Sequence, residues 1–262
     1  MGGGGAGGST TPVMASAGCG KMSGKPAATS IPNTIVTFPN GYDGSKPMPL
    51  VFGFHGANRT NANFQTSDTR IGGSDLEKNF VMAYIKSSGA GWVVATDTAR
   101  LDTAYTELTQ NYCIDVNRVY ATGHSSGAQM IVQLLCNGEK RFKAVAPVAA
   151  SKYCAKVSPI ATLYIQGMRD AMRSNSSGKD VVDVFASSNT CGSTTLAENV
   201  PSCNSSLDGA AVMPGCVAYQ GCSAPLIWCS HNDNSYNATD GNMHGWPCFA
   251  TKLIYDFFSR PR

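Results

Sequence analysis

The sequence predicts an α/β fold, with a mostly parallel central sheet and helices on both of its faces. Three observations lead there. Short runs that are apolar on both faces recur along the chain, such as PLVFGFHG at 49–56 and KAVAPVAA at 143–150, as buried strands of a parallel sheet do. Stretches with apolar residues at helical spacing alternate with them. A glycine-bounded turn, Gly123-His124-Ser125-Ser126-Gly127, joins one such strand to one such helix.

Taken in order, TIVTF (34–38) reads as a strand, followed by the turn-rich NGYDGSKPMP. PLVFGFHG is a short apolar run that ends in His-Gly, as a central strand does where it meets a loop. VMAYI (81–85) and WVVAT (92–96) are strand candidates, and the stretch from Asp97 to Tyr112 has the apolar spacing of a helix. RVYAT (118–122) is a strand and SGAQMIVQLLC (126–136) a helix. KAVAPVAA, ATLYIQG (161–167) and APLIWCSH (224–231) supply three further strands. The closing helix, 249–259, has apolar residues at 249, 253, 254, 257 and 258 on one face. The segment 171–223 lacks the alternation, being rich in Ser, Asn, Gly and Cys, and is expected to form an excursion that shapes one wall of the site.

The first 18 residues, glycine followed by small polar residues, are expected as a flexible linker, and 19–262 as one catalytic domain. Hydrophobic residues make up 42% of the chain, enough for a substantial core, while a charged fraction of 14% and a net charge of +3 argue against nucleic acid or a membrane surface as partner. No apolar run reaches the length of a membrane span. The ten cysteines show no CxxC pair and no zinc-finger histidine spacing, so disulfides in an oxidising compartment are expected in place of a metal site. Six of them lie between 191 and 248, which predicts a disulfide-stapled C-terminal excursion; Cys113 with Cys154 is the expected pair further upstream. Asn58, Asn175, Asn204 and Asn237 begin glycosylation sequons.

The turn at 123–127 matches G-x-S-x-G, a strand-to-helix bend that presents a nucleophilic serine. Alone it is weak evidence, since Gly and Ser are common residues in ordinary turns. A serine hydroxyl also needs a base, usually histidine, itself oriented by a carboxylate. The chain has four histidines. His124 adjoins Ser125 and should point away from it, and His55 closes a strand and is expected to hold the following loop. His244, directly ahead of the last helix, is the expected base and His231 the reserve. Asp170, on the loop after ATLYIQG, is the expected orienter, with Asp180 and Asp183 as rivals. Backbone amides of Ala57 and Ser126 are the expected oxyanion donors. The order strand–His-Gly, elbow, Asp, His is that of the α/β-hydrolases.

FGFHGA, NYCIDVNRVYATGHSSGAQM, RFKAVAPVAA, WCSHND and HGWPCFATKLIYDFF together resemble the secreted esterases of the polyhydroxybutyrate-depolymerase-like group, carbohydrate esterase family 1 in type, which includes feruloyl and acetylxylan esterases. The resemblance runs from about Cys19 to Ser259. It implies an α/β-hydrolase in which Ser125 is the nucleophile, Asp170 the orienter and His244 the base, without metal or organic cofactor. Where the group commonly has His-Gly-x-x-Asp, this chain has Gln166-Gly167-Met168-Arg169-Asp170. Trp246 and Trp92 are the expected substrate-binding aromatics, with Tyr236 and Phe64 as further candidates. The function expected is a secreted feruloyl esterase acting as a monomer on a small-molecule or polysaccharide-linked ester. Polyester or acetylxylan hydrolysis by the same residues, or a non-catalytic carbohydrate-binding module, are the alternatives.

Overall fold

The structure is a computed structural model that describes residues 12–205, 209–234 and 242–261; Tyr236 and the sequon at Asn237 lie outside them. Its first six strands are β1 (Thr34–Thr37), β2 (Met48–Phe54), β3 (Val81–Ile85), β4 (Ile114–His124), β5 (Ala144–Val148) and β6 (Ala161–Gly167). Then come β7 (Thr195–Ala197), β8 (Cys203–Asn204), β9 (Ala211–Val212), β10 (Gly215–Tyr219) and β11 (Leu226–His231). The main sheet has nine strands in the order β1-β3-β2-β4-β5-β6-β11-β10-β7, and β8 with β9 forms a small hairpin apart from it. Neighbours from β3 through β11 run parallel, while β1 on one side and β10 and β7 on the other are antiparallel.

Alternate strand residues feed two cores. Leu50, Phe52 and Phe54 of β2 join the cluster beneath α3 (Val94–Asn111), α4 (Ser126–Cys136) and α5 (Asn175–Ser188). Val51, with Met82 and Tyr84 of β3, joins the cluster beneath α2 (Asp75–Asn79) and α6 (Ala250–Ser259). A three-residue helix, α1 (Asn61–Asn63), precedes a π-helical turn at Phe64–Asp68. In α6, Leu253, Ile254, Phe257 and Phe258 are buried, each worth about 1.5–3 kcal/mol on removal from water.

Four expectations are corrected. WVVAT is not a strand: α3 begins at Val94, because the buried Asp97 carboxylate accepts the amides of Val93 (2.9 Å) and Ser88 (2.7 Å) and so gathers the helix start around itself. Residues 12–18 are laid against the body and do not form a free linker. Ala15 bridges Asp115, the Ser16 amide donates to Ile114 O at 2.8 Å, and Asp115 Oδ1 accepts the Met14 amide at 2.9 Å. That strap brings Cys19 to the start of β4, so Cys113 pairs with Cys19 and not with Cys154. Cys154 lies beyond β5, beside the end of α4, and pairs with Cys136.

The fourth concerns the excursion. Its disulfides are present, Cys191–Cys222, Cys203–Cys248 and Cys216–Cys229. The segment is nevertheless not a wall: it contains α5, and β10 and β7 extend the sheet past the edge of β11. Pairing with that open edge carries it sideways, so among the described residues of 171–223 only Met172 lines the main cleft.

Candidate active site

Ser125 sits at a sharp bend between β4 and α4, with φ 53° and ψ −116°. A non-glycine residue in the left-handed region is strained and needs a surrounding that holds it there. The Ser125 amide donates to Val148 O at 2.9 Å, and α4 packs close against β2 behind it. Gly127 is required by that approach, since a Cβ there would lie 2.1 Å from Phe54 O.

Three loops then meet. The loop after β6 carries Asp170, and the loop after β11 carries His244. Gly167 lets them touch: a Cβ on it would lie 2.1 Å from Met243 O. Ser125 Oγ–H donates to His244 Nε2 at 2.8 Å, and His244 Nδ1–H donates to Asp170 Oδ2 at 2.8 Å. Asp170 Oδ1 accepts the amides of Met172 (2.8 Å) and Arg173 (2.7 Å). Burial works to raise the Asp170 carboxyl, but the hydrogen bond and charge of His244, then the two amides, outweigh it and hold it below its ordinary value. In this arrangement a hydroxyl can lose its proton to an imidazole whose opposite nitrogen is held by a carboxylate.

The other candidates fall elsewhere. His231 is buried against Phe249, with the Asp233 amide on its Nδ1 at 3.2 Å. Burial pushes it down to about 4, and it has no bond to Ser125. Asp180 and Asp183 are exposed on α5, where Asp183 pairs with Lys179. His55 has the holding role expected of it: Nδ1–H donates to Gly56 O at 2.8 Å while Nε2 accepts the Ser87 amide at 3.0 Å.

Trp92 does not line the cleft. Its indole N–H donates to His55 O at 2.7 Å and its ring packs on Phe54 and His55, so it braces the Gly56-Ala57 loop from within the core. Phe64 is likewise fully buried, edge-on to Trp246. Trp246 does line the cleft, with its indole N–H on Thr251 Oγ1 at 3.0 Å. Ala57, Ser125, Met172, His244 and Tyr255 share that cavity of about 880 Å³. Ser126 is the first residue of α4, so its amide is one of those a helix leaves without an internal acceptor. Ala57, on the facing loop, is exposed.

Two contacts were not foreseen. His124 turns away from Ser125, as expected, but its Nε2–H donates to His244 O at 2.6 Å. Gln166 Nε2–H donates to Asp170 Oδ2 at 2.7 Å. No spacing rule reports either, because both join residues distant in sequence or replace the expected residue type.

A mostly parallel sheet covered on both faces, with a serine at its strand-to-helix bend and the acid and histidine loops at neighbouring strand ends, is the α/β-hydrolase fold. The feruloyl esterase C of Emericella nidulans is 30% identical over 273 residues, covering 96% of this chain and 94% of its own. A probable feruloyl esterase C of Aspergillus terreus is 29% identical over 270 residues, covering 95% and 93%. The solved acetyl xylan esterase from Aspergillus awamori shares the fold, with a TM-score of 0.60 at 15% identity over 86% of this chain and 93% of its own. No family model matches. The chain belongs to the feruloyl esterase family, carboxylic-ester hydrolases of the serine type.

Proposed function

We propose that the protein is a secreted esterase that releases ferulic acid from feruloylated arabinoxylan through an acyl-enzyme on Ser125. The observation that carries the reading is the hydrogen-bond chain Ser125–His244–Asp170, both links 2.8 Å, opening on the cleft. Ser125 Oγ attacks the ester carbonyl as His244 Nε2 takes its proton. Asp170 holds the Nδ1–H tautomer and stabilises the imidazolium that forms. The amides of Ser126 and Ala57 receive the oxyanion, a contribution of about 3 kcal/mol for one such donor. His244 then gives that proton to the sugar oxygen as its bond to the acyl carbon breaks, and the sugar leaves as the alcohol. Water, activated by the same imidazole, releases the acid and restores Ser125.

A cleft of about 880 Å³ with Trp246, Tyr255 and Met172 on its walls suits a phenolic acyl group better than an acetyl group. Secretion is supported by the pairing of all ten cysteines into five disulfides, a pattern of oxidising compartments. Among the described residues no helix is long and apolar enough to cross a membrane. The test is steady-state release of acid from methyl ferulate, acetylated xylan and a polyester film. Preference for methyl ferulate by kcat/KM supports the reading; faster release of acetate, or clearing of the film, transfers the substrate assignment to those esters.

A further inference from the structure

The side chain that replaces the expected histidine before Asp170 is fully buried and bonded at both ends. Gln166 Nε2 donates to Asp170 Oδ2 at 2.7 Å and to Arg173 O at 2.5 Å. Its Oε1 lies 3.0 Å from the Tyr164 hydroxyl, whose single proton serves either that oxygen or Ala150 O at 2.6 Å. The amide cannot be reversed, because Oε1 would then face two acceptor oxygens with no proton between them. Gly178 of α5 leaves the space for it: a Cβ there would lie 2.7 Å from Gln166 Cγ. Gln166 therefore has one orientation, and that orientation aims a donor at the oxygen that also receives His244 Nδ1–H.

We propose that Gln166 is a positioning residue for ester hydrolysis, which fixes the rotation of the Asp170 carboxylate so that Oδ2 stays on His244 Nδ1. The inference rests on the Ser125–His244–Asp170 reading above. The need for such a hold is geometric. The Met172 and Arg173 amides grip Oδ1 only, so the placement of Oδ2 depends on its two side-chain donors, His244 and Gln166. A neutral primary amide carries two protons on one nitrogen, so it meets Asp170 and Arg173 O at once; a neutral imidazole has a single N–H and can serve one of them. An amide also has no proton to gain or lose between acid and neutral pH, so the hold is constant over the range in which a histidine would change charge. It also withdraws charge from Oδ2. Removing it leaves Asp170 more negative toward the imidazole, which favours the imidazolium before substrate binds.

The other ionisable groups around this pair are Tyr164, Asp68, His124, Arg173, His231 and Asp233. None takes the place of Gln166 at Oδ2, where the two side-chain donors are His244 and Gln166.

The experiment compares Gln166→Leu and the near-isosteric Gln166→Glu with the parent chain, following methyl ferulate hydrolysis from pH 4 to 9 alongside thermal unfolding. For Gln166→Leu, kcat should fall about ten- to a hundred-fold, the loss of one charge-assisted hydrogen bond, with KM within about two-fold. The acid limb of kcat/KM should move to higher pH. A Gln166→Glu side chain donates to Asp170 only while protonated, so its rate relative to the parent should fall as pH rises. A lower melting temperature with parental kcat and an unmoved acid limb overturns the inference and leaves Gln166 as a packing residue. If Gln166→Leu does not fold, Gln166→Glu decides, and a rate ratio independent of pH overturns it. Asp170→Asn, run in parallel, separates the two levels. Parental activity there removes the underlying reading, while an inactive Asp170→Asn beside a parental Gln166→Leu removes this inference alone.

Discussion

His124 Nε2 lies 2.6 Å from the carbonyl oxygen of His244. The residue before the bend therefore holds the backbone of the residue that bears the proposed base, and the two ring centroids are 5.0 Å apart. Desolvation, followed by the neighbouring His244, pushes His124 down to about 4, so it remains a neutral donor through the working range of an esterase. His124→Ala removes this contact with the backbone of the His244 loop. We expect kcat to fall about ten-fold with KM little changed. His124→Gln, whose amide N–H can reach the same oxygen, should recover part of the loss. Equal rates for the two variants and the parent would show that the contact carries no part of catalysis.

The triad reading makes a sharper demand on paired histidines. Ser125→Ala and His244→Ala should each lower kcat by on the order of a million-fold, and Asp170→Asn by about ten thousand-fold. His231→Ala should leave most of the activity, because His231 is buried against Phe249 and makes no bond to Ser125. A serine-directed phosphonate should label the parent and fail on Ser125→Ala. Comparable losses for His231→Ala and His244→Ala would undo the choice of base.

What could be read from the residues was what depends on local pattern. Apolar runs gave β2, β3, β5, β6 and β11 within a few residues, and the bend at Ser125 with acid and histidine in order followed from chain direction alone. The misses have physical causes. In α5, Ser174 caps the helix by accepting the Ser177 amide, and Val181, Val182 and Phe185 form its buried face. Its opening SNSSG nevertheless resembles a loop, and Gly178 is there to make room for Gln166. The stretch WVVAT misleads for the opposite reason. Its β-branched pair, Val93 and Val94, has the composition of a strand but begins a helix, because the buried Asp97 gathers the Val93 amide. Disulfide partners depended on a strap, residues 12–18, whose edge pairing has no periodic signature.

The two tryptophans expected to bind substrate divide along the same line. Trp92 braces the loop bearing Ala57 through its bond to His55 O, whereas Trp246 lines the cleft. Trp92→Phe keeps an aromatic ring and deletes the indole donor, so we expect a lower melting temperature and a reduced kcat. Removing a buried hydrogen-bond donor costs about 1–3 kcal/mol when its acceptor stays buried. Trp246→Ala should instead raise KM for methyl ferulate more than for a small acetate ester. A Trp92→Phe variant with parental stability, or a Trp246→Ala variant with equal KM changes, would contradict this division.

Cys203–Cys248 ties the small β8–β9 hairpin to the loop between His244 and α6, and Cys248 itself lines the cleft. The bridge spans 45 residues, for which loop closure in the unfolded chain gives about 4 kcal/mol as the entropic contribution. A Cys203→Ser/Cys248→Ser double variant should unfold at a lower temperature and lose activity before it unfolds globally, since Trp246 and Pro247 are adjacent to the released bridge. The check is residual activity against temperature, set beside far-ultraviolet circular dichroism. If the two curves coincide in the variant as in the parent, the bridge does not locally hold the site.

Acid should destabilise the fold through its buried histidines. His124 and His231 are both pushed to about 4, from an ordinary 6.5, chiefly by desolvation. Between those values the unfolded chain binds a proton at each position that the folded chain refuses, so stability falls as pH drops from about 6.5 to about 4 and gains nothing further from these groups above 6.5. At full extent each contributes on the order of 3 kcal/mol. Asp170, held below its ordinary value, works in the same direction at still lower pH, where protonation removes its bond with His244. Melting temperature should therefore climb from pH 4 to pH 6.5 and level off. His231→Gln, which lies outside the proposed triad and cannot titrate, should flatten that climb by removing one of the two protons taken up on unfolding. A climb of unchanged steepness in that variant would mean that His231 takes up its proton equally well in the folded chain.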